Sequence, residues 1–538
     1  MLKSKQLEID REAVLRLAEK KLKQGNEDAA IRFYQQFLSI KKPHIHKYLA
    51  YYNLGYLSLK RNNLEDGIYL LQKAIQEKPD FIQSHLLIGE HLTEIEQFDQ
   101  AYDFYNEAVK VDPNSFTANI GLANVCMFLE KESEALSCFK KCVEMDTTNS
   151  FLLDKVSFAH FLAGKFDLAL EYQLKALSID ESPEGLFNLA EIYKHKNQLN
   201  ESIAVFREVI RMKPEWVDAH ANFSHALLLN GDYLEGWKEH EWRRKKKHLS
   251  RDGEFIQPQW DGSDLNDKTI LLYGEQGFGD TLQFVRYVPM FKKEFPNTKI
   301  MFECNPPLKE LLSQMVEIDE IYDYFKAPKD RFDYHCSVMS LPYHFKTTVD
   351  TIPNQTSSYL KPDIDKVNQW KRRLISDSKI KVGLVWHGRS VADDDDNLGR
   401  IGKRRNIPLE SFRNLFDLDG IQFYSLQKGE KALDIKELKL TTKILDHTEE
   451  FNDFSDTASF IEALDLVVGV DTGVIHLACA IGKPTWMLSR FDGCWRWMTE
   501  DKAGDKSPWY PTLKIYRQKT WESWEAEIEK VTQDLSTL

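Results

Sequence analysis

Small residues recur every 34 positions in the first half of this chain, at Gly55, Gly89 and Ala123. Twelve residues after each stands Gly67, Ala101 or Ala135, and seven further on Ala74, Ala108 or Cys142. Pro79 and Pro113 close two of these units, and Thr147 takes the third slot. The phase continues through Ser157, Ala169 and Ala176, then, after a one-residue slip, through Ala190, Ser202, Val209 and Pro214. A first unit near Arg11 has Ala18 and Ala30 in register, and a last one near Val217 carries Ser224 and Gly236. A fixed period of this length means repeated supersecondary units. Small side chains are needed where two helices cross closely, larger ones such as Tyr105, Phe139 and Phe206 fill the space between, and proline ends the second helix. Residues 11–245 therefore read as about seven antiparallel helix pairs. No pair buries its apolar face alone, so the pairs stack into an α-solenoid with a concave face.

This pattern resembles the tetratricopeptide repeat. The repeats themselves carry no chemistry. Their concave groove is the expected binding surface for a partner, whose identity the pattern does not encode. The rest of the composition narrows the classes. Lys plus Arg is 71 against 84 Asp plus Glu, a net charge of −13, which argues against non-specific nucleic-acid binding by counterion release. The 7 cysteines are scattered, with no C-x-x-C, and suggest reduced thiols in a cytoplasmic protein. Cys138 and Cys142, four apart on a predicted helix, fit packing better than metal ligation. The N-terminus turns charged at once, and no apolar run is long enough for a transmembrane segment.

Residues 242–267 change character. Arg243–Lys247 is a basic run that reads as a solvated helix end or as a contact for an anionic substrate, and Gly253, Pro258 and Gly262 mark a linker over 246–267. After Lys268 the period becomes alternating. Strands are expected at Thr269–Tyr273, Lys299–Glu303, Lys379–Trp386, Ile421–Leu426, Leu466–Val470, Thr485–Leu488 and Leu513–Arg517. Helices are expected at Asp280–Lys293, Pro307–Met315, Asp456–Leu464, Thr472–Ile481 and Trp521–Leu535. Alternating strands and helices imply parallel sheets. Two such series predict two Rossmann-like domains, 268–378 and 379–538, with a ligand cleft at the carboxyl ends of their strands.

Four segments could carry chemistry. Gly274-Glu-Gln-Gly-Phe-Gly-Asp280 follows the first strand and opens a helix. Its G-x-x-G-x-G spacing is not the dinucleotide fingerprint. Asp280 is either a helix cap, paired with Gln283 three residues on, or a general base in the cleft, and the two roles are compatible. The second segment is Val470–Pro484. A strand ends at Asp471 and a helix starts at Thr472, whose hydroxyl, with Gly473 and the free N–H groups of the first turn, suits a phosphate. His476, one turn on, is placed to bind a diphosphate as a protonated or N–H-donating imidazole, or else is a buried core histidine. The third is Trp386-His387-Gly388-Arg389, followed by Arg400, Lys403, Arg404 and Arg405, cations suited to a diphosphate. The intervening Asp393–Asp396 run reads as a solvated loop, not a metal site. The fourth comprises Phe491–Trp497 and Ser507–Pro511, whose tryptophans either stack on sugar or close the domain.

The segments GEQGFGDTLQFVRY (274–287), VGLVWHG (382–388), FYSLQKG (423–429), DFSDTASFIEALDLVVGVDTGVIHLACAIGKPTW (453–486), WRW (495–497) and SPWYP (507–511) resemble the glycosyltransferase family 9 (heptosyltransferase-like) domain. The layout of repeats followed by such a domain also resembles O-GlcNAc transferase. The resemblance implies a GT-B fold and inverting transfer of a sugar from a nucleotide-sugar donor, with no metal or other cofactor. It implies Asp280 as base, Asp471, Thr472, Gly473 and His476 around the donor diphosphate, and Gln427 and Lys428 near donor ribose or phosphate. Trp386, His387 and Gly388 complete the implied donor site, with Arg389, Arg404 and Arg405 as phosphate ligands. The loop after His387 is longer and more acidic than that family's, and no motif specific to a heptose donor is present. The acceptor is expected to be a protein or glycan held by the repeats. The competing expectation is a repeat adaptor whose transferase domain is degenerate.

Overall fold

The structure is a computed structural model and describes residues 11–40, 44–246, 251, 253–353, 358–374, 379–388, 402–521 and 523–538. It forms two compact units divided between Glu181 and Ser182. The division falls among the helix pairs, between Phe166–Ile179 and Pro183–His195.

In the first unit, antiparallel helices follow one another from Arg11–Lys23 to Phe166–Ile179. The small residues stand where neighbouring helices approach. A β-carbon on Gly55 would lie 2.7 Å from Leu71 Cγ, and one on Gly67 would lie 2.5 Å from Leu59 Cδ2. The Tyr105 ring fits between Gly89 and Gly121, where added β-carbons would fall 2.9 and 2.2 Å from it. Where serine takes a small position its hydroxyl is satisfied across the pair: Ser157 Oγ donates to the Ala169 carbonyl at 2.7 Å. The first helix of successive repeats ends at a residue with positive φ (Gly25, Asn62, Glu96, Glu130 and Gly164), the left-handed stop common at helix C-termini.

The second unit opens with the helix pairs Pro183–His195 with Leu199–Met212 and Val217–Asn230 with Tyr233–His240. Two parallel sheets follow. The first contains β1 (Thr269–Tyr273), β2 (Lys299–Cys304), β3 (Glu320–Asp323) and β4 (Tyr334–Ser337) in the order β3-β2-β1-β4. The second contains β5 (Ile380–Val385), β6 (Ile421–Ser425), β7 (Ile444–Leu445), β8 (Leu466–Val470), β9 (Thr485–Ser489) and β10 (Leu513–Arg517) in the order β10-β9-β8-β5-β6-β7. β3, β4 and β7 have no counterpart in the sequence reading, because they are short and mostly lack a continuous apolar run. The expected helix Asp280–Lys293 is two helices, Phe278–Phe284 and Tyr287–Glu294. Pro289 cannot donate to the Val285 carbonyl, which removes the bond that would join them.

One of the hydrophobic clusters of this unit joins its last repeat to both sheets. It includes Tyr233 and Trp237 from the last repeat, Phe284 and Phe291 beside the first sheet, and Trp495, Trp497 and Trp509 beyond the second. Trp237 packs edge-on against Trp495 and Trp509, with centroids 5.4 and 6.2 Å apart. This explains why the last repeats group with the sheets rather than with the helices before them. The linker is anchored too. Trp260 is buried, and its main-chain N–H donates to His335 O at 2.9 Å.

Candidate active site

The second sheet has the doubly wound order, in which chain direction across the sheet reverses between β5 and β8. Ligands of such sheets bind outside the strand carboxyl ends at that reversal. Trp386–Gly388 leave β5 and Asp471–Thr472 leave β8 at this point. The first sheet reverses between β1 and β4, and Gly274–Asp280 leaves β1 there. Each sheet thus presents one of the expected motifs at its own reversal, and the two motifs meet. The helices Phe278–Phe284 and Gly473–Ala480 pack so closely that a β-carbon on Gly279 would lie 2.8 Å from His476 Cδ2. One on Gly473 would lie 3.6 Å from Phe278 Cβ.

Asp280 lies at the third position of its helix and Oδ2 accepts the Gly277 N–H at 2.9 Å. The capping expectation is therefore modified: Asp280 reaches back to Gly277, and Gln283 takes no part in the cap. Oδ1 is ion-paired with Arg496, whose Nε donates to Gln283 Oε1 at 2.7 Å. The side chains of Arg496 and Asp280 are only 11% and 15% exposed. Burial pushes the Asp280 carboxyl above its ordinary value, opposed by the Arg496 guanidinium and the Gly277 N–H. A raised carboxyl suits a base that must hold a proton in the transition state. The sequence reading missed Arg496. Its only signal is a lone cation between two tryptophans in the WRW segment.

The loop that carries Asp280 is held from the repeat side. Arg243 is buried, and its Nε binds Glu275 Oε1 at 2.5 Å. The same guanidinium reaches Glu241 Oε1 at 2.8 Å and Ser340 Oγ at 2.9 Å. For Arg243 the solvated helix end is thus corrected. Its charge is used inside the protein to position the Gly274–Asp280 loop.

His476 is 6% exposed at its side chain. Its Nδ1 lies 2.8 Å from the Tyr510 hydroxyl, its ring packs 5.2 Å from Trp497, and Nε2 lies 3.9 Å from Asp471 Oδ1. Burial lowers its pKa to about 3, with Asp471 opposing and Arg496 adding to the shift. The imidazole is therefore neutral, which corrects the protonated alternative. A neutral ring still donates one N–H. The sign of the stability effect follows. The unfolded chain takes up a proton below the ordinary value of 6.5 and the folded chain does not until about 3, so folding loses free energy on acidification between these limits. At pH 5 this one group costs about 2 kcal/mol. We expect denaturant midpoints of the second unit to fall from pH 7 to pH 5, with a shallower fall in His476→Gln. Equal slopes in both proteins would contradict a buried neutral imidazole.

Asp471 Oδ2 accepts from Trp497 Nε1 at 2.8 Å. Thr472 is the N-cap residue of Gly473–Ala480, yet its hydroxyl makes no cap bond and is buried with no hydrogen-bond partner among the described residues. A β-carbon on Gly388 would meet Thr472 Cγ2 at 2.8 Å and Arg405 Nε at 3.0 Å, so Gly388, Thr472 and Arg405 converge. His387 Nε2 lies 3.1 Å from Asn406 Nδ2, and Asn406 Oδ1 accepts the Gly388 N–H at 2.8 Å.

Other expected residues serve the fold. The Trp386 indole lies in the core and donates to Asp434 at 3.2 Å. Gln427 Oε1 accepts the main-chain N–H of His387 at 2.9 Å, and Lys428 Nζ donates to the Phe451 carbonyl. The Arg404 side chain is 8% exposed, bound to Asp492 at 3.1 Å and stacked 4.0 Å over Trp521, so its expected phosphate role is corrected. Trp495, Trp497 and Trp509 are buried, which favours domain closure over sugar stacking. Arg389, Asp393–Asp396 and Arg400 lie outside the described residues. Among the described residues, no helix is long and apolar enough to cross a membrane.

Residues 450–489, which include β8, the helix Gly473–Ala480 and β9, match the family described as glycosyltransferase family 9 (heptosyltransferase). Residues 116–149 and 183–215 match the tetratricopeptide repeat. Two segments among the helix pairs thus match the tetratricopeptide repeat, and one segment of the second parallel sheet matches glycosyltransferase family 9. Among curated proteins, Protein FlbA of Caulobacter vibrioides is 23% identical over 513 residues, 89% of this chain and 77% of that protein. Protein O-mannosyl-transferase TMTC3 of Homo sapiens is 27% identical over 190 residues, 34% of this chain and 20% of that protein. Among solved structures, YrrB, a TPR protein with an unusual peptide-binding site, is 21% identical, covers 34% of this chain and 94% of its own, and has a TM-score of 0.29.

Proposed function

We propose that this protein transfers a sugar from a nucleotide-sugar donor to a hydroxyl of a protein or glycan, with inversion and without a metal. The observation that carries the reading is the meeting of Asp280 with the Thr472–His476 helix start, each at the reversal point of its own parallel sheet. Asp280 takes the proton of the acceptor hydroxyl as that oxygen attacks the anomeric carbon. The nucleoside diphosphate leaves toward the Thr472 hydroxyl, the first N–H groups of Gly473–Ala480 and the N–H of His476, donors fixed where negative charge develops. Donor entry requires the two helix starts to part, since Gly279 lies against His476. Arg496, released from Asp280, then faces the diphosphate. The repeats hold the acceptor, and the protein O-mannosyl-transferase relative is consistent with a protein one.

The reading is tested by incubating the protein with UDP-, GDP- and ADP-sugars and measuring free nucleoside diphosphate, with melting shifts recorded in parallel. Slow hydrolysis of one donor class is the expected result. A second reading, a repeat adaptor with an inert transferase fold, is favoured by the ion pair and cap bond that engage both Asp280 oxygens. It wins if no donor is hydrolysed and none shifts the melting temperature.

A further inference from the structure

Far from these motifs in sequence, the first unit gathers Glu12, His44 and His46, whose ligand atoms all lie within 4.8 Å of one another. Glu12 Oε1 is 3.1 Å from His44 Nε2 and 3.3 Å from His46 Nδ1. A tetrahedral zinc ion with ligand bonds of about 2.0–2.1 Å has ligand-to-ligand edges of roughly 3.3 Å. The two measured separations are therefore close to tetrahedral edges. The side chains are 43% (Glu12), 15% (His44) and 40% (His46) exposed, which leaves the site an entry path and room for water. His44 is also held in place, its ring packed edge-on against Phe37 at 5.1 Å.

We propose that Glu12, His44 and His46 form a zinc-type divalent-metal site with water in the fourth position. Two imidazoles and one carboxylate are a borderline donor set that suits zinc better than calcium or magnesium, which prefer oxygen alone. The ligands come from the helix Arg11–Lys23 and from the turn before the helix Lys47–Lys60. The metal clips the first helix of the array to the start of the third. Binding has a cost. The main-chain N–H of His46 points at His44 Nδ1 at 3.1 Å, so the metal-free His44 carries its proton on Nε2. Coordination through Nε2 moves the proton to Nδ1 and gives up that hydrogen bond. Micromolar affinity is expected rather than the tighter binding of an all-cysteine site.

The test uses the full chain, freed of any histidine tag and stripped with chelator, then titrated with zinc. The expected result is one equivalent bound, a rise in the melting temperature of the first transition, and a tetrahedral absorption spectrum with cobalt in place of zinc. His46→Gln and Glu12→Gln alter half-buried side chains outside the helix-packing core and should fold normally. Each should weaken zinc binding by about tenfold or more. Stoichiometric zinc binding that survives His44→Gln with His46→Gln overturns the proposal, as does the absence of any bound equivalent at zinc well above micromolar concentration.

Discussion

Asp280→Asn is expected to lower sugar transfer by about 10²–10⁴-fold, the usual worth of a positioned general base, while donor binding persists. An amide keeps the shape and still accepts the Gly277 N–H, so the loop start survives. It cannot take a proton from the acceptor hydroxyl. It also leaves the Arg496 guanidinium without its counter-charge in a site where the side chains are only 11% and 15% exposed. Removal of one partner from a buried pair costs about 3–5 kcal/mol. A loss of activity therefore has to be separated from a loss of folded protein. Donor-induced melting shifts, measured below the variant's own transition, make that separation. A folded, donor-binding Asp280→Asn protein that transfers at the wild-type rate would falsify the base assignment.

Arg496→Gln should have an effect of the same order on stability and a different signature in activity. Burial already raises the Asp280 carboxyl, and Arg496 is the strongest influence holding it down. Without the guanidinium the carboxyl rises further and is more protonated at neutral pH. The base form is the ionised one, so the acidic limb of the kcat/KM profile should move to higher pH. Part of the rate lost at pH 7 should return at pH 9. Loss of a diphosphate ligand alone would instead raise KM for the donor without moving that limb. The double variant Asp280→Asn with Arg496→Gln separates these again. It removes both charges, so its stability should exceed the sum expected from the two single losses, as coupled neighbours do. Strict additivity would mean that the two side chains do not meet in solution.

These expectations turn on a contact that joins the two sheet regions, and this decides how much of the site could be read in advance. Asp280, Asp471, Thr472, Gly473 and His476 are local features: a glycine-rich turn after one apolar strand, and a strand-to-helix turn after another. Spacing along the chain is enough to mark them. Arg496 is not local. It lies 216 residues from Asp280 and becomes its partner only when the WRW segment folds back over the interface. Arg243 is similar. A run of cations has the same appearance whether it faces water or reaches Glu275, and only packing distinguishes the two. Gln427 and Lys428 show a contact of another kind that spacing does not reveal. Their side chains have the right chemistry for a ribose or phosphate, and in the folded chain they also bond backbone groups of His387 and Phe451.

Periodicity alone determined the repeats, since a small residue every 34 positions has one physical use, the close crossing of paired helices. It equally determined the parallel sheets, because apolar strands alternating with helices have few other ways to be buried. Tertiary structure decided where the array divides, which strands lie at each reversal, whether His476 carries charge, and which arginine meets Asp280. The physical reason is range. Helix and strand patterns arise from neighbours in the chain, whereas burial, protonation and ion pairing depend on groups brought together from hundreds of residues apart.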